Sequence, residues 1–274
     1  MCGRYAATKD PATLAAEFDA LDAVSLDPVQ DAVTDAATRE RSAPPAPRID
    51  YNVAPTKNVV TVVQRHPRDG DGNVDPDAVE RSLRMMRWGL VPNWAKEKSI
   101  GAKMINARSE SAATKPAFRT SLARRRCLIP ADGWYEWRRD GKEKQPFYMT
   151  TPDGSSLAMA GLWSVWHDKE APEDAPPLIT CAVLTTEALG QLADIHNRMP
   201  MLMTSDQWAG WLDPDEENGA KLLAAPSMDL VESLELRPIS ALVNNVRNNG
   251  PELLERVDPN AEPVEQALFG GDSG

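Results

Sequence analysis

Leu14, Phe18 and Leu21 recur at spacings of four and three, a pattern that predicts an amphipathic helix over residues 10–24. Elsewhere the apolar residues fall in short β-branched or aromatic runs. These predict strands at 1–7, 59–64, 85–90, 127–130, 134–137, 147–150, 157–166 and 179–184. Asp132-Gly133 is a strong turn pair joining the runs at 127–130 and 134–137. Residues 105–110 lead into a short helix, 186–192 resemble a helix start, and 204–211 form a short helix with Ser205 as its N-cap. Residues 25–49, rich in Ala, Asp and Pro, lack any period and read as an inserted loop. A Gly/Asp/Pro loop at 66–79 and an acidic, Pro-rich loop at 167–177 follow, and the polar tail at 258–274 reads as disordered. Strands and helices mix without strict alternation and without repeats. The predicted class is therefore α+β, one domain over 1–257 with a mainly antiparallel sheet.

Charge alters this picture. The 274 residues carry 30 Lys+Arg and 41 Asp+Glu, a formal net of −11. Residues 81–150 hold 16 Lys/Arg against 6 Asp/Glu, a net of +10 that leaves −21 for the remainder. A local positive field attracts polyanions whatever the total. Trp88, Trp94, Trp134 and Trp137 lie in the same segment. Cations interleaved with aromatics suit single-stranded nucleic acid, where cations meet phosphates and rings stack on unpaired bases. Tryptophans also fill cores, so the pattern alone leaves both readings open. No apolar run is long enough for a membrane span, and residues 1–5 lack the apolar stretch of a secretory signal. Cys2, Cys127 and Cys181 make neither a disulfide framework nor a zinc spacing. The expectation is a cytoplasmic, reduced protein, monomeric and without metal or cofactor.

Cys2 carries the most chemistry. Removal of Met1 would leave an α-amine and a thiol two atoms apart. The amine titrates near ~8, so part of it is unprotonated at neutral pH. It can attack an aldehyde to give a Schiff base, and the thiol can then close a five-membered thiazolidine. Read alone, Cys2 is better taken as a small buried side chain, since free Cys is commonly buried; Cys127 and Cys181, in apolar runs, are read only that way. Glu136, between Tyr135 and Trp137, is a carboxylate that bulky neighbours can desolvate into the range of a general acid or base, or one that points outward from an alternating strand. His196 has an ordered apolar and cationic setting, unlike His66 and His167. Asn106 and Arg108 can meet a ligand oxygen and a phosphate.

Seven motifs in order resemble one family. They are Met1-Cys2-Gly3-Arg4-Tyr5, Tyr51-Asn52-Val53-Ala54-Pro55-Thr56, Arg87-Trp88-Gly89-Leu90-Val91-Pro92-Asn93-Trp94-Ala95, Asn106-Ala107-Arg108-Ser109-Glu110, Cys127 through Trp137, Ala160-Gly161-Leu162-Trp163, and His196-Asn197-Arg198-Met199-Pro200. This set resembles the SRAP family, the SOS response-associated peptidases, read as abasic-site processing proteins. Against that pattern 25–49 and 66–79 are insertions, and Asn197 stands where an acidic residue is common. The resemblance implies a barrel-like core with flanking short helices, and a thiazolidine crosslink between Cys2 and the opened sugar of an abasic site in single-stranded DNA. It implies that Asn106 holds the cysteine or sugar, that Glu136 moves protons at the amine, and that His196 is a second proton carrier. Arg4, Arg108 and Arg198 would meet phosphates. Trp88, Pro55 and Trp137 would pack against bases, with Thr185 a weaker backbone contact. Two alternatives stay open. One is a cysteine peptidase using Cys2 and His196, including self-removal of residues ahead of Cys2. The other is a non-covalent single-strand binding module. Strand nicking through the Schiff base is a secondary expectation.

Overall fold

A computed structural model describes residues 2–25, 49–69, 71–141, 143–172 and 174–258. Most of the expected 25–49 insertion and nearly all of the tail lie outside them. In chain order the strands are β1 (Tyr5–Ala7), β2 (Asp50–Val53), β3 (Asn58–Arg65), β4 (Glu80–Trp88), β5 (Asn106–Arg108), β6 (Arg126–Ala131), β7 (Gly133–Asp140), β8 (Glu143–Thr150), β9 (Leu157–Trp166), β10 (Leu178–Glu187), β11 (Arg198–Pro200) and β12 (Glu235–Pro238). The α-helices are short: α1 (Pro11–Glu17), α2 (Ser109–Ala112), α3 (Arg119–Arg124), α4 (Ser205–Leu212) and α5 (Met228–Glu232). No described helix is long and apolar enough to cross a membrane.

Two sheets result. One is antiparallel throughout, in the order β12-β8-β7-β1-β2. In the other, β10 pairs with β4 on one edge and β9 on the other, and β4-β3-β6-β9 completes the circuit. The expected barrel-like core is thus a closed ring of five strands, which removes two edges that would otherwise need covering. The expected α+β class holds, with two short parallel pairings, β10 with β4 and with β5.

Alternation decides what each face meets. Val59 and Val63 of β3, Met86 and Trp88 of β4, and Cys127 and Ile129 of β6 share one core with Cys2, Tyr5, Trp134 and Met149 of the other sheet. The opposite faces of the same strands, with Val62, Leu83 and Leu128, pack under Leu14, Phe18, Leu122 and Trp211 from the helices. Cys127 and Cys181 are fully buried, as their apolar runs suggest.

Several boundaries differ from the sequence expectation. Helix α1 stops at Glu17 because Asp19 adopts a left-handed φ of 48°, so Leu21 is exposed and only bridges to Ser82. Strand β4 begins at Glu80, not 85, since β3 pairs with it along its whole length and overrides the polar Arg81, Ser82 and Arg84. It ends at Trp88 because Gly89 turns at φ 122° against Gly101, whose carbonyl oxygen a Cβ would meet at 2.6 Å. Residues 186–187 continue β10, held by β11, and a 3-10 turn at Gly190–Asp194 replaces the expected helix start. Thr204, not Ser205, caps α4, in a capping box with Gln207. Asp132-Gly133 does not close a hairpin. It carries the chain from the barrel (β6) to the other sheet (β7).

Candidate active site

Strand β1 lies between β2 and β7, so both of its edges are hydrogen-bonded. Ala6 O accepts from Asp132 N–H (2.8 Å) and Arg4 O from Tyr135 N–H (3.0 Å). This register sets residue 2 beside β7. Along β7, Trp134 faces the shared core while Tyr135 and Trp137 pack on the other face with Ala6, Tyr148 and Val243. Glu136 therefore points inward with Trp134 and is only 3% exposed. The outward alternative is excluded by this parity.

Strand β10 supplies the other side. Past its pairing with β4 it takes β5 on the same edge, with Asn106 opposite Val183. Past β9 it takes β11 on the other edge, with Arg198 opposite Glu187. Asn106 Nδ2 donates to the Cys2 carbonyl at 2.7 Å, and its buried Oδ1 has no hydrogen-bond partner among the described residues. His196 Nδ1 lies 2.9 Å from the Arg198 backbone nitrogen and 3.2 Å from the Arg198 carbonyl oxygen, so it can accept from the one or donate to the other.

Electrostatics tie the groups together. Burial pushes the Cys2 thiol far above its usual range, and the Glu136 charge adds to this. Burial also pushes Glu136 up to about 7. Burial lowers His196, which keeps the ring neutral. Asn106, by a hydrogen bond, and Glu136, by its charge, are thus brought to Cys2 from distant parts of the sequence. A carboxyl group near neutrality can exchange protons with an amine beside it.

The residues expected to meet DNA separate into surface and interior. Arg108 is exposed, while Arg4, Pro55 and Trp137 are partly exposed. Arg4 donates to Asn52 Oδ1 (2.6 Å) and Val243 O (2.9 Å), and Trp137 Nε1 donates to Asn244 Oδ1 (2.7 Å). Trp88 is wholly buried, edge-on to Tyr5 with its Nε1 on Ile105 O (2.9 Å). Its ring is a core piece with no face left for a base. Arg198 is 9% exposed and grips Glu110 with both terminal nitrogens (2.7 and 3.1 Å), while Nη2 also donates to Thr185 O at 2.6 Å. It stands inside as a brace between α2, β10 and β11, and Thr185 is buried under it. Glu110 and Asn52 thus hold site elements in place. Both lie within the motifs, but nothing in their local pattern separates them from ordinary polar residues.

Residues 1–246 match the family described as SOS response associated peptidase (SRAP). The chain is 37% identical over 256 residues to the abasic site processing protein YoqW of Bacillus subtilis, covering 93% of this chain and 99% of that one. It is 30% identical over 238 residues to the abasic site processing protein HMCES of Gallus gallus, covering 77% of this chain and 67% of that one. A protein of known crystal structure from Bacteroides thetaiotaomicron shares the fold with a TM-score of 0.70 at 21% identity, covering 93% of this chain and all of the other.

Proposed function

The chain belongs to the SRAP family, and on that premise we propose that it captures abasic sites in single-stranded DNA as a covalent thiazolidine at Cys2. The observation that carries this reading is the Asn106 bond to the Cys2 carbonyl beside a buried Glu136. It holds the residue by its backbone and leaves amine and thiol for chemistry. The reading includes removal of Met1, since the α-amine of Cys2 must be free.

The chemistry balances without any redox partner. The opened sugar presents an aldehyde at C1′. The Cys2 amine adds to that carbon, the resulting hydroxyl leaves as water, and an imine forms. The Cys2 sulfur then adds to the imine carbon, and the thiol proton passes to nitrogen. Ring and one water are the products. Glu136, near neutrality, takes the proton of the ammonium and returns it to the departing hydroxyl. His196 serves as the second proton carrier, donating to the sugar oxygen. Arg108 and Arg4 meet phosphates, and Trp137 and Pro55 meet bases. Arg198 acts as a positioning residue through Glu110, and Thr185 as its anchor.

The peptidase alternative is less well supported. It needs a thiolate that attacks a separate substrate, whereas the thiazolidine closes within one residue and the imine nitrogen takes the thiol proton as sulfur adds, so the burial that drives the Cys2 thiol away from ionisation weighs more against the peptidase. The proposal extends to action as a monomer in the cytoplasm, in the response to DNA damage.

The test is intact mass and a denaturing gel after incubation with single-stranded DNA carrying one abasic site. The expected result is a denaturation-resistant adduct of the chain lacking Met1, at the combined mass less one water. It is absent for Cys2→Ala, and Cys2→Ser gives an adduct only when a reductant traps the imine. No adduct from correctly processed protein would overturn the proposal.

A further inference from the structure

Residues 241–249 lie outside the motifs from which the site was read. The stretch 240–250, Ser-Ala-Leu-Val-Asn-Asn-Val-Arg-Asn-Asn-Gly, contains no acid in a chain with 41 Asp+Glu. Val243 is its buried anchor, packed with Ala6 and Tyr135. The fully buried Asn52 pins it: Nδ2 faces the carbonyls of Val243 (3.3 Å), Asn245 (3.1 Å) and Asn248 (3.1 Å), while Oδ1 accepts from Arg4. Asn248 Nδ2 closes the loop on Leu242 O at 2.8 Å, and Tyr51 N–H donates to Asn249 Oδ1 at 2.7 Å. These bonds hold the loop in one shape and join it directly to Arg4 and Trp137.

Its outward side is chemically mixed. Leu242 and Val246 are each 50% exposed. Arg247 is exposed, and the Nδ2 groups of the exposed Asn244 and Asn245 make no hydrogen bond among the described residues. Apolar faces, amide donors and one guanidinium without a carboxylate match the faces, edges and phosphate of an unpaired nucleotide. An acidic or apolar protein partner matches only part of this set. A preformed loop also binds without an ordering cost.

We propose that residues 241–249 form a second wall of the strand-binding surface, with Leu242 and Val246 against unpaired bases, Asn244 and Asn245 at base edges and Arg247 on a phosphate. This rests on the function proposed above and extends it to recognition of the strand beside the lesion. Because its contacts need exposed bases, the wall favours single strands over duplex.

The test uses the full, Met1-processed chain and fluorescence anisotropy with an undamaged single-stranded oligonucleotide and its duplex. Leu242→Ser with Val246→Ser is expected to weaken single-strand binding about tenfold, with a smaller change for duplex. Arg247→Ala is expected to weaken binding and to lower the salt slope. Val79→Ser, an exposed apolar residue of the 66–79 loop, is the control and keeps wild-type affinity. All substituted positions are exposed, and circular dichroism checks the fold. Wild-type affinity in both loop variants, with wild-type adduct formation intact, overturns the wall alone. A wild-type chain that neither binds single strands nor forms the adduct overturns both proposals.

Discussion

Burying a carboxylate costs stability in a pH-dependent way, and Glu136 shows the sign plainly. Its pKa rises from an ordinary 4.5 to about 7 in the fold, with desolvation as the main cause. Between those values the unfolded chain has released a proton that the folded chain keeps, so stability falls as pH rises from 4.5 to 7 and is level above. The ceiling on the loss is about 3 kcal/mol. Glu136→Gln removes the penalty. It should melt above wild type at pH 8 and alongside it near pH 4, measured by thermal unfolding at both values. The same variant should form the adduct about 10²-fold more slowly and lose the rising limb of rate with pH below about 7. An equally fast variant with an unchanged pH profile would assign Glu136 to structure. A group that costs stability here is one that the proposed chemistry uses.

At the level of elements, the crossing from β6 to β7 sets the parity of Glu136. Gly133 makes that crossing possible, since a Cβ there would meet Met149 O at 2.3 Å and the Tyr148 ring at 2.5 Å. The close contact is with backbone as well as a buried ring, so it cannot relax by a rotamer change. Gly133→Ala should lose about 2–3 kcal/mol in urea unfolding, and adduct formation should fall with it as β7 shifts against β1. Strand β10 is the second organising element. It carries β5 and β11 on opposite edges, and the β5 pairing sets Asn106 where it reaches the Cys2 carbonyl.

Over the whole molecule, the basic segment 81–150 is not one surface. Trp88 and Trp134 are core, while Trp94 is 53% exposed and Trp137 lines the outside of β7. The arginines divide in the same way. Arg108→Ala should lower the slope of log affinity against log salt by about 0.7 for single strands, one phosphate contact. Arg198→Ala should instead lower the melting temperature, since it strips Glu110 and Thr185 of their shared partner. Titrations at several salt concentrations, paired with melting curves, separate the two residues. Equal salt slopes for Arg108→Ala and wild type would remove Arg108 from the phosphate set.

The strand runs and the α+β class were legible along the chain, because alternation is a local property, and the four candidate chemical residues were named from local residue types and motif order. Cys2 stood out through its own atoms, an amine and a thiol on one carbon skeleton. Helix ends and strand starts were less legible. Asp19 ends α1 through backbone conformation, and β3 extends β4 through pairing, neither of which the apolar pattern registers. The roles of the arginines and of Trp88 were not legible at all. Arg108 and Arg198 are the same residue type in comparable motifs, and only the packing of α2 against β10 and β11 places one outside and the other inside. Asn52, Glu110 and the 241–249 loop act through partners dozens to hundreds of residues away. Closure of β10 against both β4 and β9 sets the frame in which Arg198 meets Glu110, and the pairing of β1 between β2 and β7 sets that in which Asn52 meets the loop. Both are long-range strand pairings, which no window of sequence contains.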